Sequence, residues 1–461
     1  MIRQHGGFLL ILIIALVLRL GVVLWKTSDL ETDPDLYLAH ARMLTDGKGF
    51  AGPSTGQPTA YRPPGFPWLI AQIPGSAEAP GRSVAMINLA AGILTVLLTR
   101  VMAEQAGLSA RMATIAAGLV AMDPLLLRYT ALPMTEVVSA LVLTAAIALF
   151  QSYRNALERE RSGGSSSVVI LVQAVVVGLL FSVATYVRPI ALVVCGLLIC
   201  LMSCQLLSML LKHRPQPDHT ASSDGMPSRK RNPLFELFIV MVPGIVLLVG
   251  LSPWMIRNQR CFGKIIPATT HGGYTLALGN NPDYYRDVIQ SGTSVVWDGQ
   301  ALETWQKRIT ESAKQRGINT NDEPAMDSWM YEQAFAAIWQ HPTSFLRGCG
   351  LRLRRFWGIT PMVEQQGGTG DIIRMVVGVW YSCLWILMIS GIVCAGGQAR
   401  TIRSADLWTT VFAFMMMHSV YWTDTRMRAP LMPVCCVLAG IGIVAIGTKF
   451  GNQQRSEVSS V

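Results

Sequence analysis

The residues able to do chemistry gather in a few short segments. ETDPDLYLAHARMLTDGKGF carries Asp33 and Asp35 ahead of a helical run, and LPMTEVV puts Glu136 at the start of an apolar stretch. Arg188 precedes Pro189, Arg257 closes PWMIRNQ, and MMMHSVYWTDTRMRAPLMP holds His418, Asp424, Arg426 and Arg428. A carboxylate can take a proton from a hydroxyl. Guanidinium groups bind phosphate oxygens in a fork and stay charged beside lipid. Together they could serve a reaction that needs a base and fixed cations at one site. Each residue also has a plainer reading. Acids at a helix start favour the macrodipole and cap free N–H groups. A Glu in a first helical turn is commonly structural, and isolated arginines near a bilayer usually snorkel to the headgroups.

The elements that must position these groups are membrane helices. Of 461 residues, 51% are hydrophobic and 14% charged, against roughly 25% charged in a soluble domain. Several apolar runs reach the ~20 residues needed to cross a ~30 Å hydrocarbon core. Spans are expected near 8–25, 83–103, 110–127, 135–152, 168–187, 189–211, 234–256, 373–395, 405–421 and 428–448, about ten helices. With a cytoplasmic amino terminus, the inner loops hold Arg100 and Arg111, then Arg154, Arg159 and Arg161, then Lys212 to Arg231, then Arg400 and Arg403. Each obeys the positive-inside rule. The net charge of +10 is therefore topological, and a nucleic-acid partner is excluded.

That topology leaves two long outer segments, roughly 26–82 and 257–372, and puts the chemical residues of several spans on one side. Divisions follow at 1–256, 257–372 and 373–461. The second outer segment starts with turn formers and continues in helical patterns over Met326–Gln340 and Thr343–Trp357, a small external α-rich domain. HRPQPDHTASSDGMPSRKRN, from 213 to 232, has the composition of a disordered linker. In the first outer loop, Leu36, Ala39, Met43 and Leu44 share a helical face, as in an interfacial helix. The Pro63-Pro64-Gly65 and Pro67 cluster fixes a rigid turn back to the membrane. Arg19 interrupts the first span, and an ionisable group there is a functional candidate by default.

Taken in order, D-P-D-L-Y-L-A-H-A-R with T-A-Y-R-P-P-G-F-P, R-P at 188–189, P-W-M-I-R-N with G-G-Y-T-L-A-L-G-N-N-P, and H-S-V-Y-W-T-D-T-R-M-R-A-P-L-M-P resemble the GT-C class of membrane glycosyltransferases. Within it, the chain is similar to relatives of the protein O-mannosyltransferases and the lipid A aminoarabinose transferase. The resemblance implies an all-α polytopic GT-C fold and transfer of a sugar from a polyprenyl phosphate outside the cytoplasm. It makes Asp33, four residues before Tyr37, the general base of an inverting displacement. Glu136 would orient substrate, with Tyr37, Tyr61, Arg62, Arg188, Arg257, His418, Arg426 and Arg428 as substrate-binding groups. Asp33 and Asp35 look like a metal-binding Asp-x-Asp, yet the neighbouring motifs fit the metal-independent branch, so no cofactor is expected. Met427 stands where that family has an aromatic residue.

The expectation is thus a multi-pass glycosyltransferase of the cell (inner) membrane, active on the non-cytoplasmic face, whose partners are a lipid-linked sugar, an acceptor and membrane lipids. Its rivals are an envelope polysaccharide polymerase or ligase, and a flippase or transporter of a lipid-linked substrate. A transporter should show two related halves and a midplane site, and no half-repeat is visible.

Overall fold

The computed structural model describes residues 2–161, 166–212, 233–291, 297, 299–360, 369–394 and 403–458. The linker expected over 213–232 lies outside them. The described residues form no strand, only an isolated bridge between Ala51 and Pro58.

The helices, in chain order, are α1 (Ile2–Trp25), α2 (Tyr37–Thr45), α3 (Gly65–Ala71), α4 (Pro80–Gln105), α5 (Ala110–Ala121), α6 (Pro124–Thr130), α7 (Glu136–Arg161), α8 (Ser167–Val187), α9 (Ile190–Lys212) and α10 (Pro233–Phe262). Next come α11 (Gly272–Gly279), α12 (Pro282–Tyr284), α13 (Gly299–Gln315), α14 (Glu323–Gln340) and α15 (Pro342–Phe356). The chain closes with α16 (Thr369–Cys394), α17 (Ala405–Val420) and α18 (Met432–Val458).

Among the described residues, eight helices are long and apolar enough to cross a membrane, and the bent pair α5–α6 would make a ninth. The remaining expected span, 405–421, corresponds to α17. Its 16 residues rise only ~24 Å at ~1.5 Å each, short of the hydrocarbon thickness. One apolar core runs through α4, α5, α7–α10 and α16–α18. A second gathers α2, α3 and the starts of α4 and α7 beneath the first connecting loop.

Two expectations change. The helix after Asp35 does not lie on an interface by the face 36, 39, 43 and 44. Tyr37, Leu38, His40, Ala41 and Met43 are buried while Leu36 is 48% exposed, so α2 is packed into the protein. Arg19 is fully buried and donates to the carbonyls of Ala121 (3.1 Å) and Val120 (3.4 Å). Those are carbonyls of the last turn of α5, where the pair bends by 50°; Val120 O also accepts from Asp123 N at 3.3 Å. Arg19 therefore caps the break. Gly92 makes room for it, since a Cβ there would stand 2.2 Å from Arg19 Nε.

Candidate active site

The chemical residues converge at one end of the bundle. The approach is set by the loop after α1, where Leu36 adopts a left-handed backbone, φ 63°, costly for a residue other than glycine. That turn separates the two acids. Asp33 accepts from the backbone N–H groups of Leu38 (3.1 Å) and Ala39 (2.8 Å), one on each carboxylate oxygen. Asp35 meets Arg62 Nη2 at 2.7 Å and Arg426 Nη1 at 3.4 Å. Asp33 thus fulfils the capping role, and each oxygen keeps further lone-pair capacity.

A second pair lies alongside. Glu136, fully buried at the start of α7, accepts from Arg188 Nη2 at 3.2 Å. Its Oε2 and Arg188 Nη1 are both buried without a partner. Arg188 also reaches Met427 Sδ at 3.2 Å. Arg426 touches Asp35, Asp424 Oδ2 (3.4 Å) and Met134 Sδ (3.6 Å). Tyr37 is 5% exposed and lies in the fields of Arg62, Asp35, Arg188 and Glu136. Burial raises its phenol above the ordinary value.

The scaffolding is specific. Asn88 Nδ2 donates to the carbonyls of Tyr129, Thr130 and Leu132, fixing the turn that delivers Glu136. Gly65 lets α3 abut the end of α8, because a Cβ would meet the Tyr186 carbonyl at 2.8 Å. Glu323 of α14 accepts from Ala60 N (2.9 Å) and Thr270 Oγ1 (3.0 Å). It thereby ties the segment after α10 to Tyr61 and Arg62. Beside that tie, His271 sits 4.3 Å from the Tyr61 ring and stacks 5.1 Å from Tyr274. Burial pushes the imidazole down to about 3, with the Arg62 charge acting in the same direction.

Three expected substrate groups are placed otherwise. Arg257 commits Nη1 to Thr59 O (2.7 Å) and Asn258 Oδ1 (2.9 Å), and Nη2 to Phe50 O (2.6 Å). It staples the first loop to α10. Arg428 is fully buried; its Nη1 donates to Phe356 O and Gly358 O, and its guanidinium lies 4.2 Å from the Tyr381 ring centre. It holds the end of α15 against α16. His418 pairs Nδ1 with Thr423 Oγ1 at 3.1 Å and stacks on Phe356. Neither side chain has a hydrogen bond or ion pair with the Asp35–Arg62–Arg426 or Glu136–Arg188 groups.

The sequence alone offers Asp35 as a helix-start acid or as half of a metal pair, and it singles out none of Asn88, Met134 and Glu323. Asn88 had a signal, a polar amide inside an apolar span. Glu323 had none, lying 263 residues from its partner Ala60.

Residues 62–259 match the family model described as dolichyl-phosphate-mannose-protein mannosyltransferase. That stretch holds Arg62, Glu136, Arg188 and Arg257 but neither Asp33 nor the 418–428 segment. No curated protein matches the chain. Among solved structures, the oligosaccharyltransferase AglB of Archaeoglobus fulgidus, in complex with an inhibitory peptide and a dolichol-phosphate, superposes with TM-score 0.54 at 14% identity, over 98% of this chain and 52% of its own. The oligosaccharyltransferase of the same organism in complex with Zn and sulfate gives 0.54 at 14% identity, over 95% and 49%. ArnT from Cupriavidus metallidurans, bound to undecaprenyl phosphate, gives 0.41 at 12% identity, over 96% and 78%. The chain spans about half the length of the archaeal structures, and the likeness to them is one of fold.

Proposed function

We propose that this chain is a GT-C class membrane glycosyltransferase that moves a sugar from a polyprenyl phosphate to an acceptor on the non-cytoplasmic face of the cell membrane. The observation that carries the reading is the convergence of Asp35, Arg62, Glu136, Arg188 and Arg426 from four separate parts of the chain beside Asp33. Such a centre suits a reaction whose difficulty is charge on the leaving group.

Asp33 is the base in this reading. Its helix-start contacts fix the direction of the carboxylate, and among the described residues no arginine or lysine pairs with it. It takes the proton of the acceptor hydroxyl as that oxygen attacks the anomeric carbon in line. The bond to the phosphate oxygen breaks with inversion, and the lipid phosphate departs with the electron pair. Arg188, with Nη1 uncommitted, and Arg426 are the cations that receive the new charge. Glu136 holds Arg188 in place. Asp35 lies against two guanidiniums that would have to leave before a divalent cation could take it, which supports a metal-independent reaction. The dolichol-phosphate in the AglB structure supports a prenyl phosphate leaving group.

The test is transfer of radiolabelled sugar from a panel of polyprenyl-phosphate sugars, in membranes holding equal amounts of wild-type protein or Asp33→Asn. Loss of transfer in the variant, by the 100-fold or more (~10²–10⁴) that a general base contributes, supports the reading. Unchanged transfer removes Asp33 as the base. Activity that survives Asp33→Asn but fails with Arg188→Ala would favour an envelope polysaccharide polymerase or ligase instead.

A further inference from the structure

The segment after α10 ends in a helical hairpin whose outer face none of the described residues covers. On α14, Phe335 is 51% and Trp339 82% exposed; on α15, Leu346 is 67% exposed. The spacing 335, 336, 339 is a single helical stripe. Arg347 and Arg354 are exposed on α15. Glu332, also exposed, stands one turn before Phe335, at the end of the stripe away from the α14–α15 turn.

The depth of α15 says what lies against this face. Its C-terminal end reaches into the membrane helices. Trp357 packs edge-on against Trp385 of α16, ring centres 4.9 Å apart. Thr360 lies where a Cβ on Gly378 would meet it at 3.3 Å, and Arg352 Nε donates to Ser419 O in α17 at 2.6 Å. Gly378 is eight residues into the apolar span that starts at Gly370, ~12 Å below that end at ~1.5 Å per residue. A 15-residue helix rising from there extends only ~22 Å. Upright or tilted, it keeps Leu346 and the α14–α15 turn within the headgroup layer or close above it. The adjoining surface of α16 is already lipid-like, with Ile372, Met375, Val376 and Val379 each at least 60% exposed.

We propose that the α14–α15 hairpin is an interfacial anchor, seating Phe335, Trp339 and Leu346 in the headgroup region of an anionic bilayer, with Arg347 toward lipid phosphates. Tryptophan suits that layer because its body is apolar and its N–H wet. Arginine beside apolar side chains adds attraction to anionic lipid. The committed partner is the bilayer surface, not a protein. Because Glu323, at the start of α14, holds Ala60, the anchor would set the height of Tyr61 and Arg62 above the membrane.

The experiment uses the full chain in nanodiscs of phosphatidylcholine and phosphatidylglycerol, with or without lipid brominated on the acyl carbons nearest the headgroup. Emission of Trp339 is read as wild type minus Trp339→Phe. The expected result is loss of most of that difference emission in brominated discs, with little further loss on adding aqueous iodide. Full emission in brominated discs with strong iodide quenching places Trp339 in water and overturns the proposal. Emission quenched by neither places it under a second copy or another protein and overturns it equally. Leu346→Trp in the Trp339→Phe background repeats the reading from the other helix, so a folding fault in one variant does not leave the question open.

Discussion

Replacing Arg257 with alanine separates two accounts of one residue. Its guanidinium spans the first loop, holding Phe50 O and Thr59 O at 2.6 and 2.7 Å. Hydrogen bonds to a charged group contribute about 1.5–3 kcal/mol each. Phe50 O also accepts from Thr59 N at 3.2 Å, so it is not left wholly orphaned and the two contributions do not add in full. A loss of about 2–4 kcal/mol, local to residues 50–60, is the reasonable range. At tenfold per 1.4 kcal/mol, even about 2 kcal/mol speeds local amide exchange ~30-fold. Hydrogen exchange of the full chain in detergent should show this at Gly52, Thr59 and Thr270, whose amides bond Gln57 O, Phe50 O and Ala60 O. Transfer should fall as well, because Arg62 lies in the freed loop. Arg257→Lys should fall between, since one ammonium cannot reproduce a fork across two carbonyls. Unchanged exchange in the alanine variant, together with a raised KM for the lipid-linked donor, would refute the staple and return Arg257 to the phosphate.

Two further outcomes follow from the same geometry. Gly92→Ala should cost about 1–3 kcal/mol, the usual range for overpacking, read as a lower thermal midpoint in detergent, because the added Cβ displaces Arg19 from the α5 break. Gly21→Ala, with nothing within 4 Å of its Cβ, should not lower it. His271 has its pKa depressed from 6.5 to about 3 in the folded chain, so between those values the unfolded chain binds a proton that the folded one does not. Stability should therefore be unaffected by this group above about pH 6.5 and decline as pH falls toward 3. His271→Phe, which keeps the stacked ring, should flatten the slope of thermal midpoint against pH in that window; an unchanged slope would count against the assignment.

What the sequence made legible was what each segment could declare by itself. The spans are visible because burial in lipid demands long apolar runs, and α14 and α15 appear within three residues of the helical patterns read for them. Asp33, Arg62, Glu136, Arg188 and Arg426 stood out because a charge beside such runs is costly without a use. What each charge is used for was not legible. Arg257, Arg428 and Arg426 come from equally polar contexts, yet the first two each hold two backbone carbonyls and only the third meets a carboxylate of the cluster. An arginine's task depends on which unpaired group the fold brings to it, and carbonyls at loop turns and helix ends carry no sequence signature. Arg19 makes the same point inside the bilayer. Its cost in lipid argued for function, but the broken α5–α6 pair supplied carbonyls that accept from it at that depth. The reliable signal for chemistry in such a chain is therefore reciprocal: an arginine whose nearest partner is a buried acid from another segment, as in Glu136–Arg188. Lone arginines beside proline turns and helix breaks are first of all candidates for holding the backbone.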